Sequence, residues 1–183
     1  MLTVKQRGQF VATMRYIHVA LMETLAAWVP TAPEMEVKLL LGEHIWDVAQ
    51  HADSLGKRTF ELRMPLQHSL RPIDAYAQML TEVANITPTP QRLAAIYDVI
   101  LPGVSSRYRC YLNETDSLAD APTVRILERH LADIERMVGA CRELWRELPA
   151  LKCDDPAWVD AMRKREAADS VVAPVATADA VGA

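Results

Sequence analysis

Residues 36–55 read EVKLLLGEHIWDVAQHADSL. At 100° per residue, Val37, Leu40, Leu41, His44, Val48, His51 and Leu55 fall on one face of a helix. Two histidines therefore sit among positions that face a core. Asp47 lies at the border of that face, three residues after His44 and four before His51, so its carboxylate can reach either ring. This segment is a helix with a chemically loaded inner face, and the rest of the chain is read around it.

The helix has clear punctuation. Thr31 can cap its start, Pro33 tolerates an early position, Glu34 and Glu36 place negative charge on the positive end of the dipole, and Pro65 limits it to about Arg63. Before it, a first helix runs from about Val4 to Trp28, ahead of Pro30. From Phe10 onward that helix is apolar almost all round, with Arg15, His18 and Glu23 as its ionisable interruptions, a pattern of burial that makes Glu23 a candidate inward carboxylate. After the second helix comes a long connection, Met64 to Thr89, holding a short helix from about Ile73 to Val83. A third long helix runs from Pro90 to about Asn113, with Pro102 and Gly103 expected to bend or break it. The fourth opens near Asp120 and continues to about Glu147, and a short last helix follows Asp155-Pro156. Residues 1–167 read as a single helical bundle domain and 168–183 as a disordered Ala/Val-rich tail.

Composition supports this frame. The chain has 183 residues, enough for one domain with a sizeable core, and only 6 glycines, which favours helices over turn-rich sheets. A formal net charge of −4 argues against a dedicated nucleic-acid binder. The cysteines, Cys110, Cys141 and Cys153, are odd in number and without close spacing, so neither a disulfide framework nor a cysteine zinc site is suggested. No apolar stretch reaches membrane-spanning length, and a cytoplasmic protein is expected.

The fourth helix repeats part of the second. Ile126, Leu127, His130, Ile134, Met137, Cys141 and Leu144 form its apolar stripe, with Asp133 at the edge, so His-x-x-Asp occurs at His44/Asp47 and again at His130/Asp133. Helices in corresponding places of the two halves of a bundle can bring such clusters face to face, where a paired metal site would be built. On the third helix Asp98 and Glu114 are both acidic candidates, with Tyr97, Tyr108 and Tyr111 supplying phenols.

Four long helices with a single long link between the second and third resemble the ferritin-like superfamily, and Glu36 to Asp53 resembles a metal-ligand helix of that group. The resemblance covers about Val4 to Glu147. It implies an all-α, ferritin-like four-helix bundle with the crossover between helices 2 and 3. The family's hallmark is a carboxylate from each of two helices plus Glu-x-x-His on the other two, holding two iron or manganese ions. This chain has no Glu-x-x-His: Glu43 is followed three residues on by Trp46 and Glu128 by Leu131. Only Glu23 matches by position. A second resemblance lies in Asp47-Val-Ala-Gln-His51, which is similar to the Asp-x-x-x-His of some haem-oxygenase-like di-iron oxidases.

Two functions are consistent with these residues. One is a divergent ferritin-like oxidoreductase that holds iron or manganese among Glu23, Glu43, His44, Asp47, His51 and His130 and acts on a small molecule. The other is a metal-free helical accessory or interaction protein on the same scaffold, whose histidines are hydrogen-bonded core residues. The surplus of Trp and Leu suits a homodimer in either case.

Overall fold

The computed structural model describes residues 2–167 and 170–173. Its elements are α1 (Val4–Trp28), α2 (Met35–Glu61), α3 (Asp74–Ala84), α4 (Thr89–Leu93), a π-helical stretch (Ala94–Ile100), α5 (Leu101–Glu114), α6 (Ala121–Glu147), a 3-10 turn (Pro149–Leu151) and α7 (Pro156–Glu166), with no strand among the described residues. A capping box starts α1: Thr3 Oγ1 accepts from Gln6 N–H at 3.2 Å while Gln6 Oε1 accepts from Thr3 N–H at 2.8 Å. Thr31 does not cap α2 as its sequence position suggests. Its hydroxyl donates back to Trp28 O, and α2 begins four residues later. The end of α2 is a Schellman turn, with Met64 N–H on Thr59 O and Arg63 in the left-handed region at φ 64°.

The third long helix is not broken at Pro102-Gly103, one of the two outcomes expected there. α4, the π stretch and α5 form one continuous helix. Proline clashes with the carbonyl four residues back and cannot donate to it. The chain widens into π geometry before Pro102, with Leu101 N–H reaching Ile96 O, and the stranded Asp98 carbonyl accepts from Arg163 Nε of α7 at 3.2 Å.

The four long helices pack side by side as a helical bundle. Gly8 near the start of α1 lies against Leu62 just past α2, so these two are antiparallel. Arg58, late in α2, reaches Asp120 at the start of α6, whereas Asp47, at the middle of α2, reaches Arg136 further along α6. Phe10 of α1 stacks on Tyr111 of α5 at 4.3 Å, and His18, two turns on, meets Tyr108. Each helix therefore runs against its neighbours, and the link from α2 to α4 must travel the length of the bundle. It does so along α1, from Leu70 N–H on Ala12 O at 3.1 Å to Trp28 Nε1–H on Ala84 O at 3.2 Å.

α7 is tied down by Glu166, a buried residue whose carboxylate pairs with Arg107 and accepts from Tyr76 O–H at 3.0 Å. Gly103 makes room for it, since a Cβ there would fall 1.8 Å from the Glu166 carboxyl carbon. Beyond α7, Val171 is buried and its carbonyl accepts from Ile73 N–H at 3.0 Å. The rest of the tail read as disordered, 168–169 and 174–183, lies outside the described residues. Removing everything after Ala168 deletes the Val171 side chain from the core. It should cost about 1.5 kcal/mol, read as a lower urea midpoint at unchanged slope. A midpoint equal to the full chain's would show that Val171 contributes nothing.

Candidate metal centre

Each long helix sends one polar side chain into the same layer of the core: His18 from α1, His51 from α2, Tyr108 from α5 and His130 from α6. The three imidazoles are 0–2% exposed, and one ligand atom from each can be chosen so that all lie within 4.8 Å of one another. The rings of His51 and His130 stack at 3.9 Å, and His18 stands perpendicular to His51 at 5.0 Å.

The hydrogen bonds around the rings set their proton positions. His51 Nε2 lies 3.2 Å from Asp133 Oδ2, and a carboxylate can only accept, so His51 carries its proton on Nε2. Ser54 Oγ donates its own hydrogen to His51 O at 3.0 Å, which leaves it to accept from His130 Nε2–H at 2.9 Å. Both rings therefore present Nδ1 as a bare lone pair. His18 Nε2 is held by the Tyr108 hydroxyl at 2.6 Å. The Nδ1 atoms of His18, His51 and His130 are all buried without a partner. Burial, followed by the proximity of His51, holds His18 well below the usual histidine range. The same burial lowers His130, with His51 and His18 adding to it, and lowers His51 against the opposing pull of Asp133. All three are neutral at pH 7, the form that ligates a metal.

Among the residues proposed from sequence, His51 and His130 are brought together and the others are not. His44 is also buried, but it lies two turns from His51 along α2. Its Nδ1 pairs with the Tyr97 hydroxyl at 2.6 Å, and burial brings its pKa down to about 4. Asp47 is bound by Arg136 at 3.0 Å, and Glu43, 67% exposed, lies 3.6 Å from the same guanidinium. Glu23 is exposed rather than inward: five residues past His18, it is turned about 140° away from the core. Asp98 sits near Arg163 at 3.9 Å and Glu114 faces solvent, so neither joins the histidines.

His18 is the residue sequence reasoning missed. It read as an interruption of an apolar run, yet Val11, Met14, His18, Leu21, Leu25 and Trp28 follow alternating three- and four-residue steps and are all buried. That spacing places His18 on the inner stripe. No protein-family model, curated protein or solved structure matches this chain. No helix among the described residues is long and apolar enough to cross a membrane.

Proposed function

We propose that the protein is a ferritin-like metalloprotein that holds one divalent transition-metal ion on His18, His51 and His130 and acts as a non-haem oxidoreductase on a small molecule. The observation that carries this reading is the set of three buried, neutral imidazoles, each with Nε2 engaged and Nδ1 buried without a hydrogen-bond partner. Buried polar atoms are ordinarily satisfied, so three orphans in one layer call for a common partner. The contacts at Nε2 are the outer hydrogen bonds that orient metal-ligating histidines. Three protein ligands leave a coordination position for an exogenous molecule.

The ligand set refines the sequence expectation. Imidazoles suit iron, zinc, copper and nickel, whereas manganese favours carboxylate and carbonyl oxygen. The group contains no carboxylate to bridge two ions, so a single iron fits better than a di-iron or di-manganese pair. The ferritin-like part of the reading rests on the antiparallel neighbours and on the link that travels along α1. The stacking of His51 on His130 favours one competing reading, a metal-free scaffold in which the rings pack on each other.

Titration with Fe(II) under anaerobic conditions, and separately with Zn(II), separates the two. One equivalent is expected to bind and to stabilise the fold by about 2.7 kcal/mol at a hundredfold excess over Kd. His18→Ala, His51→Ala and His130→Ala should each abolish that gain, and His44→Ala should keep it. Absence of any thermal shift with either metal would establish the metal-free scaffold.

A further inference from the structure

Helix α2 has two apolar stripes where a bundle helix needs one. Val37, Leu41, His44 and Val48 fill its inner face, while Met35, Leu39 and Trp46 lie on its outer face at 62%, 68% and 68% exposure. With Gly42 and Ala49 these outer residues recur in steps of four, three, four and three, the spacing of a seam that packs against another helix. Lys38 and the exposed Glu43 lie about 70° to either side of that seam. Asp53 and Lys57, an ion pair at 2.6 Å, close the run at its C-terminal end.

Gly42 is a second sign of a missing neighbour. It is exposed in mid-helix without a positive φ, and a Cβ there would meet nothing within 4 Å. Glycine weakens a helix interior relative to alanine, and no contact inside the chain calls for it. The close approach of a second backbone does. Methionine and tryptophan are also the side chains enriched where proteins meet.

We propose that the outer face of α2 is a homodimer interface, in which α2 of a second copy packs parallel to it along the seam from Met35 to Ala49. The flanking charges select both the partner and the direction. In a parallel pair, Lys38 of one copy faces the residue five positions further along the other, which is Glu43, and two-fold symmetry makes that pair twice. An antiparallel pair would set each flank against its own copy, and Glu36 and Glu43 share one flank, so carboxylates would meet carboxylates. In the parallel pair Trp46 packs on Trp46 of the second copy, and the Gly42 layer lets the backbones close up. A second copy thus supplies the apolar knobs, the small layer and the matching charges together. The interface is independent of what the histidines bind.

Sedimentation equilibrium of the full chain tests this. The wild type should form dimers with a dissociation constant on the order of 10 μM, as suits a short seam. Trp46→Asp should raise that constant at least about a hundredfold. Lys38→Glu and Glu43→Lys should each raise it about tenfold, and the double variant should return to within about threefold of the wild type, because the pair is restored with its charges exchanged. The altered side chains lie outside the core, so helical content by circular dichroism should stay at the wild-type level. Gly42→Ala should weaken the dimer and yet raise the melting temperature of the dilute monomer, two effects of opposite sign. A wild type that stays monomeric at about ten times the expected dissociation constant overturns the proposal and leaves the face to a foreign partner. A dimer unaffected by Trp46→Asp places the interface elsewhere, and a double variant as weak as the single ones overturns the parallel pairing.

Discussion

Asp120→Ala is expected to destabilise the bundle by about 3–5 kcal/mol, the cost of stranding a buried charge. Asp120 is 0% exposed at the start of α6. Arg58 donates to its Oδ1 at 2.8 Å and Thr123 at 2.6 Å, while Tyr111 and Thr115 donate to its Oδ2 at 2.7 and 3.0 Å. Burial alone would raise this carboxyl, but the donors outweigh it and hold the group below the usual aspartate range. Removing the carboxylate leaves Arg58, itself buried, with the Thr123 hydroxyl at 2.8 Å and, as its counter-charge, the exposed Glu61 on its own helix. Because the cluster joins α2, α5 and α6 at one end of the bundle, its loss should lower the urea midpoint at constant slope. Asp120→Asn should recover part of the loss, since an amide oxygen still accepts. A destabilisation below about 1 kcal/mol would show that water reaches Arg58 as easily as the carboxylate does.

The second large effect is acid lability. His18, His44, His51 and His130 are all held below the ordinary value of 6.5 in the folded chain, His44 at about 4, and burial is the leading cause in each case. The unfolded chain therefore binds more protons than the folded one once the pH falls below 6.5, and stability must fall with it. Each histidine contributes a slope of up to about 1.4 kcal/mol per pH unit until its folded pKa is reached. Several acting together between pH 6.5 and 5 approach the whole stability of an ordinary domain, roughly 5–15 kcal/mol. The metal-free protein should therefore unfold cooperatively near pH 5, seen as loss of ellipticity at 222 nm. His44→Gln, which keeps a hydrogen-bonding side chain opposite Tyr97, should reduce the slope by one proton's worth. A bound metal should move the transition to lower pH, because protons then compete with the ion for the same nitrogens. Unfolding free energies that are equal at pH 7 and pH 5 would rule this account out.

Helix boundaries and the inner face of α2 were legible in the chain because they depend on local rules. Proline placement ends α1 at Trp28 and opens α7 after Asp155, and a 3.6-residue period puts His44 and His51 inward whatever they pack against. The continuity of the helix through Pro102 was not legible. It depends on a π turn and on Arg163, a residue 61 positions later in sequence, that satisfies the freed carbonyl.

The candidate site divides along the same line. Periodicity by itself determined that His51 and His130 are core-facing, and the alternating spacing around His18 held the same information. Which of the inward histidines meet was decided only by the packing of α1, α2 and α6. Axial register between helices is set by interlocking side chains and by the connections, not by the period of any one helix. That register lifts His44 away to Tyr97 and brings His18 to His51. The surroundings of the carboxylates were settled by the fold for a related reason. A residue type that can ligate a metal can also pair with arginine, and only the fold placed Arg136 beside Asp47, Asp133 and Glu43.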